Sequence, residues 1–199
     1  MDAGAARGHP PQRPARARTC RRTVQPRRRR ELCRGPPAHP SRSLAGDHPA
    51  AAAAEQALQL YPQLGSRLGQ ANALDTLALV RHAIGDYTAA LTIFEQAIDL
   101  FRDAEDPDGE AEPLNHIGES LLAPAAPSAA RQRFTAALGI ARAIGTPAHE
   151  AHALEGTGAC AFRDDRHGEG IARLRRALAT YRRIGSPHTT RTEAALHHR

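Results

Sequence analysis

The sequence predicts an all-α protein: a superhelical stack of antiparallel helix pairs, about seven helices in all, behind a disordered tail. Three observations predict it. A Gly-Thr/Ser-Pro junction, Gly145-Thr146-Pro147, returns forty residues later as Gly185-Ser186-Pro187. Between such junctions the apolar residues keep helical spacing, as in Ala90, Leu91, Phe94, Ala97, Ile98 and Phe101, which fall on one face. The same small and apolar positions then recur at the forty-residue interval, the signature of a repeat array.

The tail comes first in the chain. Residues 1–48 contain 12 Arg against Asp2, Glu31 and Asp47, a balance of +9, whereas residues 49–199 contain 15 Arg against 18 acids, a balance of −3. The net charge of +6 therefore belongs to the tail. Seven prolines and almost no periodic apolar residue leave this segment too little to bury, so it is expected to be disordered. The run Arg27-Arg28-Arg29-Arg30 suits weak, non-specific contact with nucleic-acid phosphates, although no aromatic is interleaved for stacking on bases. All 27 basic residues are Arg, which points to a GC-rich genome. A misread start or frame shift in such DNA is the alternative account of residues 1–48.

From Pro49 the elements follow in order. A half repeat covers 49–65, whole repeats cover 66–105, 106–145 and 146–185, and a partial repeat covers 186–199. In the corner columns stand Gly65, Gly145 and Gly185, with Glu105 as the exception; then Ser66, Asp106, Thr146 and Ser186; then Arg67, Pro107, Pro147 and Pro187. Gly fits the left-handed residue after a helix end, Ser/Asp/Thr fit the N-cap, and Pro fits the first helical position. Each corner thus joins two helices with almost no loop. Softer breaks at Ile84–Thr88, Ala123–Ser128 and Arg163–Gly170 divide every repeat into two helices, in the first repeat about Arg67 to Ala83 and Tyr87 to Ala104. The half repeat predicts a helix over Ala51–Leu64. With the array starting halfway through a repeat, the outer face of that helix is expected to lie uncovered, favouring marginal stability or self-association.

These residues resemble the tetratricopeptide repeat. Leu74-x2-Leu77-Ala78, Leu114-x2-Ile117-Gly118 and Leu154-x2-Thr157-Gly158 match the first half of the pattern. Ala90-x3-Phe94-x2-Ala97 and Ala130-x3-Phe134-x2-Ala137 match the second, and Gly170-x3-Leu174-x2-Ala177 matches it loosely. The pattern's Trp is absent, its closing Pro is replaced by Arg102, Arg142 and Arg182, and the repeat is longer than the usual 34 residues. The resemblance implies a right-handed superhelix whose first helices line a concave, peptide-binding groove. The forty-residue form also resembles the C-terminal arrays of large actinobacterial transcriptional regulators of the antibiotic-regulatory and nucleotide-binding ATPase type. That implies the sensor or regulatory part of a bacterial transcriptional or signalling regulator. The alternative is a truncated or frame-shifted fragment of a larger regulator without independent function.

Carried over by pattern, the groove residues are Asn72, Asp75, Leu79 and His82, then Glu112, Asn115, Glu119 and Leu122, then His152, Glu155, Ala159 and Phe162. The set is acidic and lacks the basic partners of a carboxylate clamp, so a basic or amphipathic helical partner is expected. Enzymatic activity is not. Without lysine no Walker A loop exists. His116 with Glu119 and the turn Asp164-Asp165-Arg166-His167 offer acids and bases, and His149 with His152 offers two metal ligands at i, i+3. No third ligand stands at a telling distance, so no metal or cofactor is expected. Cys20, Cys33 and Cys160 have neither disulfide-scaffold nor zinc spacing, and free thiols in a reducing cytoplasm are the expectation. No apolar run of membrane-spanning length appears, and the partner is expected to be a protein or peptide.

Overall fold

The computed structural model describes residues 49–197. The expectations for residues 1–48, including Arg27 to Arg30, Cys20 and Cys33, lie outside the described residues. Within them the chain forms eight α-helices and no strand: α1 Pro49–Leu60, α2 Arg67–Ala83, α3 Tyr87–Asp103, α4 Pro107–Leu122, α5 Pro127–Ile144, α6 Pro147–Arg163, α7 His167–Ile184 and α8 His188–His197. The eighth helix belongs to the partial repeat.

The corners explain this regularity. Among the described residues, seven have left-handed φ: Gly65, Gly85, Glu105, Ala125, Gly145, Asp165 and Gly185. They stand twenty residues apart, so the breaks between pairs and within pairs are one and the same turn. After each of them, the next backbone N–H reaches back five residues, from Ser66 to Tyr61 at 3.0 Å through Thr146 to Ala141 at 2.9 Å. This is the long bond of the Schellman motif, which satisfies carbonyls orphaned at a helix end. Glu105 is therefore no exception to its column. It takes the same backbone as its glycine counterparts, and a side chain there costs roughly 1–2 kcal/mol.

Caps vary more than corners. Ser66 accepts from the Gly69 N–H at 3.2 Å, Asp86 from Ala89 at 3.2 Å, and Asp106 from Gly109 at 3.1 Å. Thr146 occupies the N-cap but makes no capping bond, contrary to expectation. Its hydroxyl donates instead to Asp108 Oδ1 of the preceding pair at 3.1 Å. Proline opens α4, α5 and α6, where its missing N–H would have no helical partner anyway. The first helix stops at Leu60 instead of Leu64. Pro62 accounts for this, since its ring would meet the carbonyl of residue 58 in a continued helix.

Packing follows the columns. Ala71, Ala90, Phe94, Ala97, Ile98, Ala111, Ala130, Phe134, Ala137, Ala151 and Ala177 have no exposed surface. The Phe134 ring is clamped between two glycines: a Cβ at Gly118 of α4 would lie 2.6 Å from it, and one at Gly156 of α6 would lie closer still. An alanine at either place would displace the ring. Cys160 is a buried free thiol against the same ring, and burial pushes it up to about 11, so it is inert at neutral pH. Each first helix packs on its own second helix and on the second helix of the pair before. Successive first helices also touch, α2 on α4 and α4 on α6, while the second helices show no comparable packing. The first helices therefore line the concave side of the stack.

Candidate functional site

The concave face is built from α2, α4, α6 and α8. Of the residues expected there, Asn72, Leu79 and Glu112 are exposed, and Asp75, His82, Glu119, Leu122, His152, Glu155 and Ala159 are half-buried. Two differ. Asn115 has no exposed surface and donates its amide to the His149 carbonyl at 3.4 Å, and Phe162 is 8 % exposed, its ring close against Gly170. Both are packed inside the stack instead of facing the groove.

Three of these residues, Glu112, Glu119 and His152, line a cavity of about 250 Å³. The rest of its wall was not foreseen as one site: His116 from α4, Ala148 and His149 from α6, Tyr181 from α7, Ser186 at the last corner, and His188 and Arg191 from α8. Glu112, His116 and Glu119 share a face of α4 by helical spacing, as do His149 and His152 on α6. His149 has a side chain only 16 % exposed and stands 3.4 Å from Asp108.

Rings run through the site in a row. Phe94 meets His116 at 5.6 Å between centroids, His116 meets His152 at 5.8 Å, His152 meets His188 at 6.1 Å, and His188 stacks on Tyr181 at 5.3 Å. The three histidines are 36 residues apart in sequence, not 40. The difference of four is one helical turn, so the line of facing residues slips back one turn at each repeat. That spacing was the available sequence signal, hidden because the columns were compared at forty.

Carboxylates on one helix meet imidazoles on the next. Asp75 Oδ1 lies 3.9 Å from His116 Nδ1, within ion-pair range but beyond hydrogen-bond length, and neither atom has a hydrogen-bond partner. Glu119 Oε1 is 3.0 Å from His152 Nε2. Glu155 Oε2 accepts from the Tyr181 hydroxyl at 3.1 Å and from Arg191 at 3.0 Å. His82 Nδ1 joins the Ser120 hydroxyl at 2.7 Å. Burial alone would raise the Glu119 carboxyl, but the His152 hydrogen bond and the charges of His152, His116 and Arg191 hold it down at about 2. His116 is raised: burial disfavours its cation, and Asp75, Glu119 and Glu112 outweigh that. His82 and His188 are lowered, in both cases mainly by burial, with His116 adding to it at His82 and Arg191 at His188. The Tyr181 hydroxyl is raised by burial and by Glu155, so it stays a donor.

His116 meets His152 edge-on and His152 stacks on His188, and among the described residues no group of three or more His, Cys, Asp or Glu is placed to hold a metal. The turn at Asp164 to His167 lies elsewhere and is tied by pairs from Arg131 and Arg166 to Asp164 and from Arg166 to Glu169. Among the described residues no helix is long and apolar enough to cross a membrane.

With that geometry in place, comparison with known proteins gives the following. No curated protein matches the sequence. Among solved structures the fold is similar to the apo form of RapI, at 15 % identity and a TM-score of 0.64 over 73 % of this chain. It is also similar to BtubC from P. vanneervenii, at 18 % identity and a TM-score of 0.59 over 69 % of this chain. The chain spans 41 % of the RapI chain and 57 % of the BtubC chain, so the likeness is one of fold. The family model of the tetratricopeptide repeat matches residues 69–143, which run from the start of α2 nearly to the end of α5.

Proposed function

We propose that residues 49–199 form a non-catalytic interaction scaffold that holds a peptide or helix of a partner protein along its concave face. The observation that carries this is the contrast between the two layers. The stack is built on alanine, glycine and a few aromatics, yet its first helices present a continuous row of half-buried polar side chains around one cavity. Such a surface, on a scaffold whose packing is satisfied without it, suits recognition. Charge selects the partner. Asp75, Glu112, Glu119 and Glu155 outnumber Arg191 on this face, which favours a basic segment. Peptides selected by display against the full chain test the reading. Glu112→Arg and Asn72→Arg on the inner face are expected to weaken the selected peptides, while Gln96→Arg and Gln132→Arg on the outer helices leave them unchanged. Equal binding by all four variants would set the groove aside.

The regulatory part of the proposal, a sensor array of a bacterial transcriptional or signalling regulator, rests on the forty-residue form of the repeat. Transcript profiles of strains with and without the chain check it, and identical profiles would remove that role.

A further inference from the structure

Beyond the general groove, the cavity between α4, α6 and α8 has a chemistry of its own. We propose that it is an anchor subsite taking the guanidinium of an arginine side chain from the bound segment; this deepens the groove reading and depends on it.

The argument begins with the carboxylates. Glu112 and Glu119 stand seven residues apart on α4, two turns along one face, and both line the cavity. Glu119 is partly committed to His152, while Glu112 is exposed at the rim. Behind them Asp75 Oδ1 and Glu155 add two more negative groups, and Asp75 Oδ1 has no hydrogen-bond partner. The single arginine, Arg191, is already engaged by Glu155 at 3.0 Å. Arg191 offsets one of the four carboxylate charges. An anionic ligand would meet Glu112 and Glu119 in the wall with Asp75 and Glu155 behind them, so a cation fits and an anion does not.

The donor geometry decides which cation. The rings of His152, His188 and Tyr181 stack on one another at 6.1 Å and 5.3 Å, so the carboxylates are the groups left to meet a ligand. A guanidinium is planar and carries five donors in a fork that matches carboxylates, whereas an ammonium is a hydrated point charge. A cavity of about 250 Å³ leaves room for one such side chain and not for a peptide backbone.

The test uses the full chain and N-acetyl-arginine amide, read by the imidazole resonances of His152 and His188 in two-dimensional NMR. Saturable shifts are expected at pH 7.5, with N-acetyl-citrulline amide, its neutral isostere, weaker by roughly tenfold, the factor one charge-assisted hydrogen bond contributes. N-acetyl-glutamate amide is expected to give no saturable shift, and N-acetyl-lysine amide to bind less tightly than the arginine compound. Glu112→Gln, which breaks no bond within the fold, is expected to weaken the arginine compound severalfold. Glu119→Gln weakens it further, and the Glu112 variant decides if the Glu119 variant fails to fold. Equal binding of citrulline or glutamate compounds, a Glu112→Gln variant with unchanged affinity, or unmoved imidazoles would each overturn the anchor. Display peptides that still bind the inner face while the imidazoles stay unmoved would overturn the anchor alone and leave the groove standing.

Discussion

At the scale of single residues, the left-handed corners are where this chain departs from its best local sequence. Four of seven are glycine; Glu105, Ala125 and Asp165 hold the same backbone with a side chain attached. Relief of that strain amounts to roughly 1–2 kcal/mol, and the extra freedom glycine brings to the unfolded chain takes back about 0.4–1 kcal/mol. The first effect wins. Glu105→Gly and Ala125→Gly are each expected to stabilise the array by about 0.5–1 kcal/mol, seen as a higher urea midpoint at unchanged slope. A lower midpoint would show that these side chains contribute contacts that outweigh their strain. Glu105 is the residue the column comparison set aside as an exception. Residue type alone misleads there, because position in the turn, not identity, fixes φ once two helices are packed on either side.

Among the elements, capping and corner charges divide the work unevenly. Asp106 caps α4 with its own carboxylate, whereas Thr146 in the same column turns its hydroxyl to Asp108. Asp106→Ala is therefore expected to cost about 1 kcal/mol, while Thr146→Ala costs clearly less; equal losses in thermal or urea unfolding would contradict the assignment. The arginines that stand where the tetratricopeptide pattern has its closing proline also gain a reason. Arg102 reaches Glu110 at 2.7 Å, Arg142 reaches Glu150 at 3.0 Å and Arg182 reaches Glu193 at 2.6 Å, each from the end of a second helix to the start of the next pair. These pairs are largely exposed, so they set register across the corner more than they add stability. The helices themselves were legible to within a residue or so, as with Arg67–Ala83, because capping residues, prolines and helical apolar spacing all act locally. The failure at α1 came from giving Pro62 less weight than the repeat register. The ring row was not legible, because it depends on how far one helix slides past the next, which no local rule contains.

For the whole molecule, the site shows the same division. Glu112, Glu119 and His152 were carried over from the repeat pattern that the chain resembles, and they line one cavity. Tyr181, His188 and Arg191 were missed because they arrive from a second helix and from the partial repeat, brought in by the curvature of the stack. The seven shared corners carry one more consequence. The smallest unit of the molecule is twenty residues, half the repeat its sequence displays, and it has a parity. Excising two units, residues 106–145, keeps every downstream helix on its own side of the stack, so a shortened array is expected to fold with helical circular dichroism and a cooperative melt. Excising one unit, residues 126–145, makes inner helices outer: His149 and His152 move to the convex side, and the alanine faces of α6 and α7 exchange neighbours. That variant is expected to lose cooperative melting, and a cooperative melt from it would show that the two sides of this solenoid are interchangeable.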